Sequence, residues 1–235
     1  MYRKFTYYGK AVFSPIVIPD LAIWLKADAG LTLSGADVTQ WNDQSGNGRN
    51  FVWDTIKPKF NATFANGKEY VYADTLNMKM KLSFTQKYRT VFVLFKGSNS
   101  TNSAAGSFAG LGNICYQISA DYCQIGVDSA NLFGYGAHYY AYLTSVLDAG
   151  AIDQNINIIT VVAGASSTKT YLNGSLVASN TNDMNNCTGD HFLFSSGVPG
   201  TDYTFHGGIR ELVNYNRALN ATEIGQVNAY LLSRA

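Results

Sequence analysis

Charge is scarce in this chain of 235 residues: Asp, Glu, Lys and Arg together make up 14%, and the formal net charge is +1. No basic stripe runs along the sequence, so no nucleic-acid partner is expected. No stretch approaches the roughly 20 apolar residues of a membrane-spanning helix, so no membrane insertion is expected. Cysteine is limited to Cys115, Cys123 and Cys187, an odd and sparse set that does not make a disulfide framework. Free, partly buried thiols are expected, or a Cys115–Cys123 bridge across a hairpin if the two Cα atoms come close enough. No Cys-x-x-Cys or His-x-x-x-His spacing occurs, which argues against a structural zinc site. Proline is rare at 4 residues, and glutamate is confined to Glu69, Glu211 and Glu223.

What is abundant is tyrosine, at 16, and glycine, at 22, a composition that suits twisted sheets joined by many turns. Apolar or alternating runs predict strands over Leu21–Lys26, Lys68–Ala73, Met78–Phe84, Thr90–Phe95, Ile156–Ala163, His191–Ser195 and Gly208–Asn214. Met78-Lys-Met-Lys-Leu-Ser-Phe alternates with period two, giving one wet and one dry face. Thr90-Val-Phe-Val-Leu-Phe is apolar almost throughout, as in a central strand covered on both faces. Asn113–Ser119 and Tyr122–Val127 read as a pair of strands, with a loop over 97–107. Asn173-Gly174 between Thr168–Leu172 and Ser175–Ala178 predicts a hairpin with a type I′ turn. Asn220, with Glu223 three residues on, predicts a capping box and a helix over about 221–232, with Ala221, Ile224, Val227 and Leu231 on one face.

The first 20 residues do not follow the strand pattern. Tyr2, Arg3, Lys4, Phe5, Tyr7, Tyr8, Lys10 and Phe13 mix aromatic and basic groups of the kind found in interfaces, so residues 1–20 are expected to be an assembly arm and 21–235 the domain. The basic start is followed by no continuous apolar block, because Pro15 and Pro19 interrupt Ile16-Val17-Ile18. It reads as a poor signal peptide, and a cytosolic product is expected.

Three groups of residues invite a functional reading. Phe133-Gly-Tyr-Gly-Ala-His-Tyr-Tyr-Ala-Tyr is the candidate binding surface, with Tyr135, His138, Tyr139, Tyr140 and Tyr142 offering faces that stack on sugars and tips that hydrogen-bond. Core packing is the competing role for the same residues. Asp43, Asn47 and Asp202 could ligate calcium, but the ion takes about 6–8 oxygens and one turn supplies too few, so Asp43 is expected to bond backbone N–H groups instead. No cofactor is expected. Catalysis is not expected either. Glycoside hydrolysis with retention needs two carboxylates about 5–5.5 Å apart. Glu211 has no partner carboxylate in its strand and is expected to be structural, beside Arg210. His138, His191 and His206 sit in no nucleophile motif.

Two separated motifs carry a resemblance. Trp41-Asn-Asp-Gln-Ser-Gly-Asn-Gly48 is a strand end and tight polar turn, and Gly208-Ile-Arg-Glu-Leu with Asn216-Arg-Ala-Leu219 is a strand, a turn and a helix entry. In this order they resemble the laminin-G-like branch of the concanavalin A-like lectin/glucanase superfamily, over roughly residues 21–234. The resemblance implies an all-β, concanavalin A-like jelly-roll β-sandwich of two antiparallel sheets with a short C-terminal helix. Domains like this are common in structural proteins of tailed bacteriophages. With the missing signal, that implies a non-enzymatic virion protein: a capsid decoration, head-fibre or tail component. It would be assembled in the host cytoplasm and form homo-oligomers. The arm would bind other virion proteins and the sandwich would meet a host-surface glycan. The alternative is a carbohydrate-binding module of a bacterial surface or secreted protein.

Overall fold

A computed structural model describes residues 13–75, 77–83, 89–97, 122–128, 134–140, 156–164, 167–180, 191–194, 205 and 207–235, with 122–128 and 134–140 described by their backbone. The strands in chain order are β1 (Leu21–Lys26), β2 (Leu31–Ser34), β3 (Asp37–Trp41), β4 (Phe51–Trp53), β5 (Lys59–Ala65), β6 (Lys68–Ala73), β7 (Met80–Leu82), β8 (Thr90–Gly97), β9 (Tyr122–Asp128), β10 (Gly134–Tyr140), β11 (Ile156–Ala163), β12 (Thr168–Leu172), β13 (Ser175–Asn180), β14 (His191–Leu193) and β15 (Gly207–Tyr215). One helix, α1 (Ala221–Arg234), follows them.

The hydrogen-bonded order is β13-β12-β11-β8-β15-β6-β5-β3-β4-β7-β14, with β1 added to β15 and β2 to β3. Every strand pairing is antiparallel. This path folds into the two layers of a jelly roll. Its corner lies where β5 meets β3 through Asp37 opposite Lys59 alone. The two expected sheets are therefore joined by hydrogen bonds at one corner. Trp41, Phe51, Met80 and Leu193 of the smaller layer form one buried cluster with Ile23, Leu25, Val71, Val93, Phe95, Ile159 and Leu212 of the larger.

Strand parity explains why β8 is apolar throughout. Val91, Val93 and Phe95 enter the core between the layers, while Phe92 and Leu94 enter a second cluster with Ile158, Val162, Val213, Ile224, Val227 and Leu231. The helix α1 supplies the last three of these and covers the outer face of the larger layer. In β7, Met80 and Leu82 are buried and the lysine between them is not. The Asn173-Gly174 turn has φ of 49° and 85°, the paired positive values of a type I′ hairpin.

The capping box of α1 forms: Glu223 N donates to Asn220 Oδ1 and Asn220 N to Glu223 Oε2, both at 3.0 Å. Arg217 grips the same carboxylate with two bonds of 2.8 and 2.6 Å. The Arg217 hydrogen bonds, with that from the Asn220 backbone, pull the Glu223 carboxyl down to about 2. The buried stripe of the helix is Ile224, Val227, Asn228 and Leu231; Ala221, expected on that stripe, is exposed at the first position of the helix.

β9 pairs with β10, in register from Tyr122–Tyr140 to Asp128–Gly134; residues 113–119, the partner expected for it, lie outside the described residues. The end of the expected arm belongs to the domain's surface. Pro15 and Ile18 are buried, and the Tyr215 hydroxyl donates to Pro15 O at 2.9 Å. Phe13 meets Tyr230 edge-on at 6.3 Å between ring centroids. Tyr2, Arg3, Lys4, Phe5, Tyr7, Tyr8 and Lys10 lie outside the described residues.

Candidate functional site

The polar turn after Trp41 spends its side chains on β1. Among the described strands β1 has a ladder partner, β15, on one side only, which leaves its other edge to be bonded by the turn. Asp43 Oδ1 accepts from Trp24 N and Ser45 N at 2.9 Å each, and Oδ2 from Ser45 Oγ at 2.7 Å and Arg49 N at 3.2 Å. Gln44 N donates to Trp24 O at 2.7 Å. Asn47 Nδ2 donates to Leu21 O at 2.9 Å and Ala22 O at 3.1 Å, and Arg49 adds a bond to Ala22 O at 3.2 Å. Trp41, fully buried, donates its indole N–H to Lys26 O at 2.9 Å. The turn is thus a cover for a sheet edge. Both oxygens of Asp43 are occupied by N–H and O–H donors, and Asn47 turns its amide N, not its oxygen, to the strand. Among the described residues no group of three His, Cys, Asp or Glu side chains is arranged to hold a metal; Asp202 lies outside them.

Glu211 is structural, but its partner is not Arg210. Arg210 sits at a bulge in β15, between Ile209 and Glu211. Arg210 turns to Glu69, at 3.3 Å, and sits over the Tyr70 ring at 5.9 Å. Glu211, fully buried, accepts from Arg234 Nε at 2.5 Å, Tyr230 Oη at 2.9 Å and Trp24 Nε1 at 3.2 Å. Arg234 also pairs with Asp28. Burial opposes ionisation of Asp28, yet the bond and charge of Arg234, with Lys26 and Arg210 beyond, hold its carboxyl below the usual range. Burial first, then the charge of Glu211, pushes the Tyr230 phenol up. Glu211 therefore fastens α1 to β15 and has no oxygen turned to solvent.

Exposed aromatic surface occurs elsewhere, at the end of β4 in the smaller layer. Phe51 and Met80 point into the core, so Val52 and Lys81, which are cross-strand partners, point out, and Phe192 of β14 lies opposite Lys81. Trp53 closes β4 with 43% of its surface exposed, and Val52 and Ile56 beside it are equally open. Lys57 places its ammonium 5.1 Å from the Trp53 ring centroid. Lys79 pairs with Asp54 at 2.9 Å, and Lys79 and Lys81 lie 5.7 and 5.6 Å from the Phe192 ring. The end of β4 thus joins a part-exposed indole to a hydrogen-bond donor, Lys57, two kinds of group that hold a sugar. Sequence reasoning passed over Trp53, although Phe51-Val-Trp followed by Lys57 carried the signal of a strand ending in an aromatic.

The chain matches a family model described as Laminin_G_3, of the concanavalin A-like lectin/glucanases superfamily, over residues 83–225. It belongs to that family. The match takes in β15 and the helix entry but not the turn after Trp41. No curated protein sequence is significantly similar to this laminin-G-like chain. Among solved structures it is similar to domain 4 of AbnA, an extracellular arabinanase of Geobacillus stearothermophilus solved with arabinotriose. The TM-score is 0.64 at 14% identity, covering 89% of this chain and 98% of that one. The sialidase of Trypanosoma rangeli in complex with sialic acid gives a TM-score of 0.65 at 12% identity, over 94% of this chain but 34% of the sialidase. The binding domain of Paraclostridial Mosquitocidal Protein 1 gives 0.58 at 13% identity, over 92% and 53%. At these identities the likeness establishes the fold, a lectin-like jelly roll. The chain spans about a third of the sialidase.

Of the tyrosine-rich candidates, Tyr135, His138, Tyr139 and Tyr140 fall on β10, opposite Val127, Gln124, Cys123 and Tyr122. Tyr135 and Tyr139 hold positions of one parity, His138 and Tyr140 of the other. Tyr142, like His206, lies outside the described residues.

Proposed function

We propose that this laminin-G-like domain is a carbohydrate-binding module, and that Trp53 with Lys57 beside it forms its ligand site. The observation that carries the reading is the part-exposed indole of Trp53, with the Lys57 ammonium over its ring, at the end of β4 in a lectin-like sheet. The structural likeness to an arabinanase domain solved with arabinotriose and to a toxin's binding domain supports the same class. The β9–β10 hairpin, with Tyr135, His138, Tyr139 and Tyr140 and with Tyr142 beyond, is the second surface offered to a glycan. The domain works without catalysis in this reading. Glu69, Glu211 and Glu223 are each engaged by an arginine, and no step requires a cofactor.

A place in a virion, as capsid decoration, head fibre or tail component, is the finer reading. What supports it is the resemblance to tailed-phage domains and the aromatic, basic composition of residues 1–12. Such a particle would display the module as repeated copies and hold it through the arm. The carbohydrate-binding reading does not depend on that context and is preferred.

The test is a glycan microarray probed with the intact chain and with Trp53→Ala. We expect binding to a defined set of polysaccharides, weakened about tenfold or more by the substitution, equivalent to about 1.4 kcal/mol. A chain that binds no glycan, or releases sugar from one, refutes the reading. Retention of full affinity by Trp53→Ala, with loss in Tyr135→Ala or Tyr139→Ala, moves the site to the hairpin.

A further inference from the structure

We infer that Asn66 is a site of spontaneous covalent modification, converting to aspartate and isoaspartate through a cyclic imide, while the fold protects the other two Asn-Gly pairs of the chain. Asparagine before glycine is open to this chemistry because the second residue has no Cβ to hinder its backbone N as that atom approaches the asparagine amide carbon. The pairs are Asn47-Gly48, Asn66-Gly67 and Asn173-Gly174. All of these residues are exposed, so exposure does not separate them. Hydrogen bonding does. Asn47 Nδ2, the group that would leave, donates to Leu21 O at 2.9 Å, Ala22 O at 3.1 Å and Ser45 Oγ at 3.0 Å. Asn173 is held at both ends of its amide: Oδ1 accepts from Ile158 N at 2.8 Å and Nδ2 donates to Asn157 Oδ1 at 3.2 Å. Its backbone N also donates to Ile158 O at 2.8 Å. Among the described residues, neither the Asn66 side chain nor Gly67 N has a hydrogen-bond partner.

With φ of 51° and 66°, Asn66 and Gly67 have the paired positive values of a type I′ turn, and this turn must open before the ring can close. Its anchorage is short. Ala65 pairs with Lys68 beside the turn, but the ladder resumes only at Asn61 opposite Tyr70, because a bulge in β5 intervenes. The Asn173-Gly174 turn is closed by Leu172 opposite Ser175 and then Tyr171 opposite Leu176, and Asn173 itself is tied to β11. Local opening therefore costs less at Asn66, and the open turn is the form that reacts. In the reaction Gly67 N forms a bond to Asn66 Cγ, the Cγ–Nδ2 bond breaks, and ammonia leaves with the proton of Gly67 N. Water then opens the imide. Cleavage of the new Cγ–N bond leaves aspartate in an unaltered backbone. Cleavage at the main-chain carbonyl leaves isoaspartate, with the backbone rerouted through Cγ and lengthened by one carbon. Either product adds a carboxylate and takes the formal net charge of the chain from +1 to zero.

The experiment ages the intact chain in warm, mildly alkaline buffer and follows the three Asn-Gly peptides by mass spectrometry, with isoaspartate read by enzymatic methylation. Isoelectric focusing of the same samples follows the charge. We expect the Asn66 peptide to convert from amide to acid at least about tenfold faster than the Asn47 and Asn173 peptides, and an acidic isoform of the chain to accumulate in step with it. In urea, where the fold no longer separates them, the three peptides should convert at similar rates. Asn66→Asp, whose carboxyl side chain tolerates the left-handed backbone and has no amide to lose, should form no further acidic isoform in the folded state. Conversion at Asn47 or Asn173 as fast as at Asn66 in the folded chain overturns the inference. So does an Asn66 that stays intact in the folded chain while all three convert in urea. An acidic isoform that accumulates unchanged in Asn66→Asp places the reacting amide elsewhere and overturns it as well.

Discussion

Replacing Glu211 should release the C-terminal helix. Its carboxylate is fully buried and accepts three bonds, from Arg234, Tyr230 and Trp24. Two of these donors lie on α1 and one on β1, so a single side chain on β15 ties together the first strand, the last strand and the helix. Removing one partner of a buried ion pair typically costs about 3–5 kcal/mol, because the other charge is stranded. Here the stranded group, Arg234, has a side chain 25% exposed and keeps Asp28, so solvent and a second carboxylate relieve part of the penalty. The expected loss for Glu211→Ala is therefore about 2–3 kcal/mol, with Glu211→Gln slightly milder since the amide oxygen still accepts one bond. Urea unfolding followed by circular dichroism measures it, with the slope unchanged if the native state stays compact. A double-mutant cycle with Arg234→Met should give a coupling of about 1 kcal/mol or more. A loss below about 1 kcal/mol for Glu211→Ala, or additive effects in the cycle, would refute the role assigned to this residue.

Trp41→Ala should cost about 3–5 kcal/mol for the lost buried ring. Asp43→Ala follows closely at about 2–3 kcal/mol, since four donors lose their acceptor; thermal melts of the two variants give the comparison, and added calcium should restore neither. The Glu223 carboxyl titrates at about 2 when folded, below its ordinary 4.5, so its contribution is full above pH 4.5 and is lost as pH falls from there toward 2. Helix signal monitored across that range should weaken in the native chain and stay flatter in Glu223→Gln. Deleting residues 1–19 removes the cover that Phe13, Pro15 and Ile18 give the helix-side cluster and leaves the Tyr215 hydroxyl without its acceptor. It should cost about 3 kcal/mol, whereas a deletion ending at residue 12 keeps those contacts and should melt like the native chain.

What could be read from the sequence was whatever a strand or a cap writes locally. Met78-Lys-Met-Lys-Leu announces its faces by alternation, Asn173-Gly174 its turn by φ, and Asn220 with Glu223 the helix start by mutual bonding. β5 was missed although Asn66-Gly67, with φ of 51° and 66°, is the same hairpin signal. The strand before that turn, Lys-Phe-Asn-Ala-Thr-Phe-Ala, buries fully only Ala65 and so lacks a dry face to recognise. The bulge at Arg210, and the choice of Glu69 as that arginine's partner, are declared by no residue type in Gly-Ile-Arg-Glu-Leu. Trp53 escaped because a strand of three residues is too short for its last side chain to be assigned a face. The docking of Phe13, Pro15 and Ile18 depends on a groove beside α1, formed some 200 residues later in the chain.

The pairing of β1 dictates an order of events during synthesis. Among the described strands its only ladder partner is β15, with Leu21 opposite Tyr215, so β1 must wait for a strand made much later. β8, the other neighbour of β15, and β6 wait for the same strand on the central edge of the larger layer. Until it arrives, Leu21-Ala-Ile-Trp-Leu remains an apolar edge, shielded on one side once the turn after Trp41 has closed. Contacts of such long sequence separation slow folding and prolong exposure to aggregation. A nascent chain stalled anywhere before residue 207 is an open sheet, and completion of the sandwich comes as a single late step when its central strand is finally inserted.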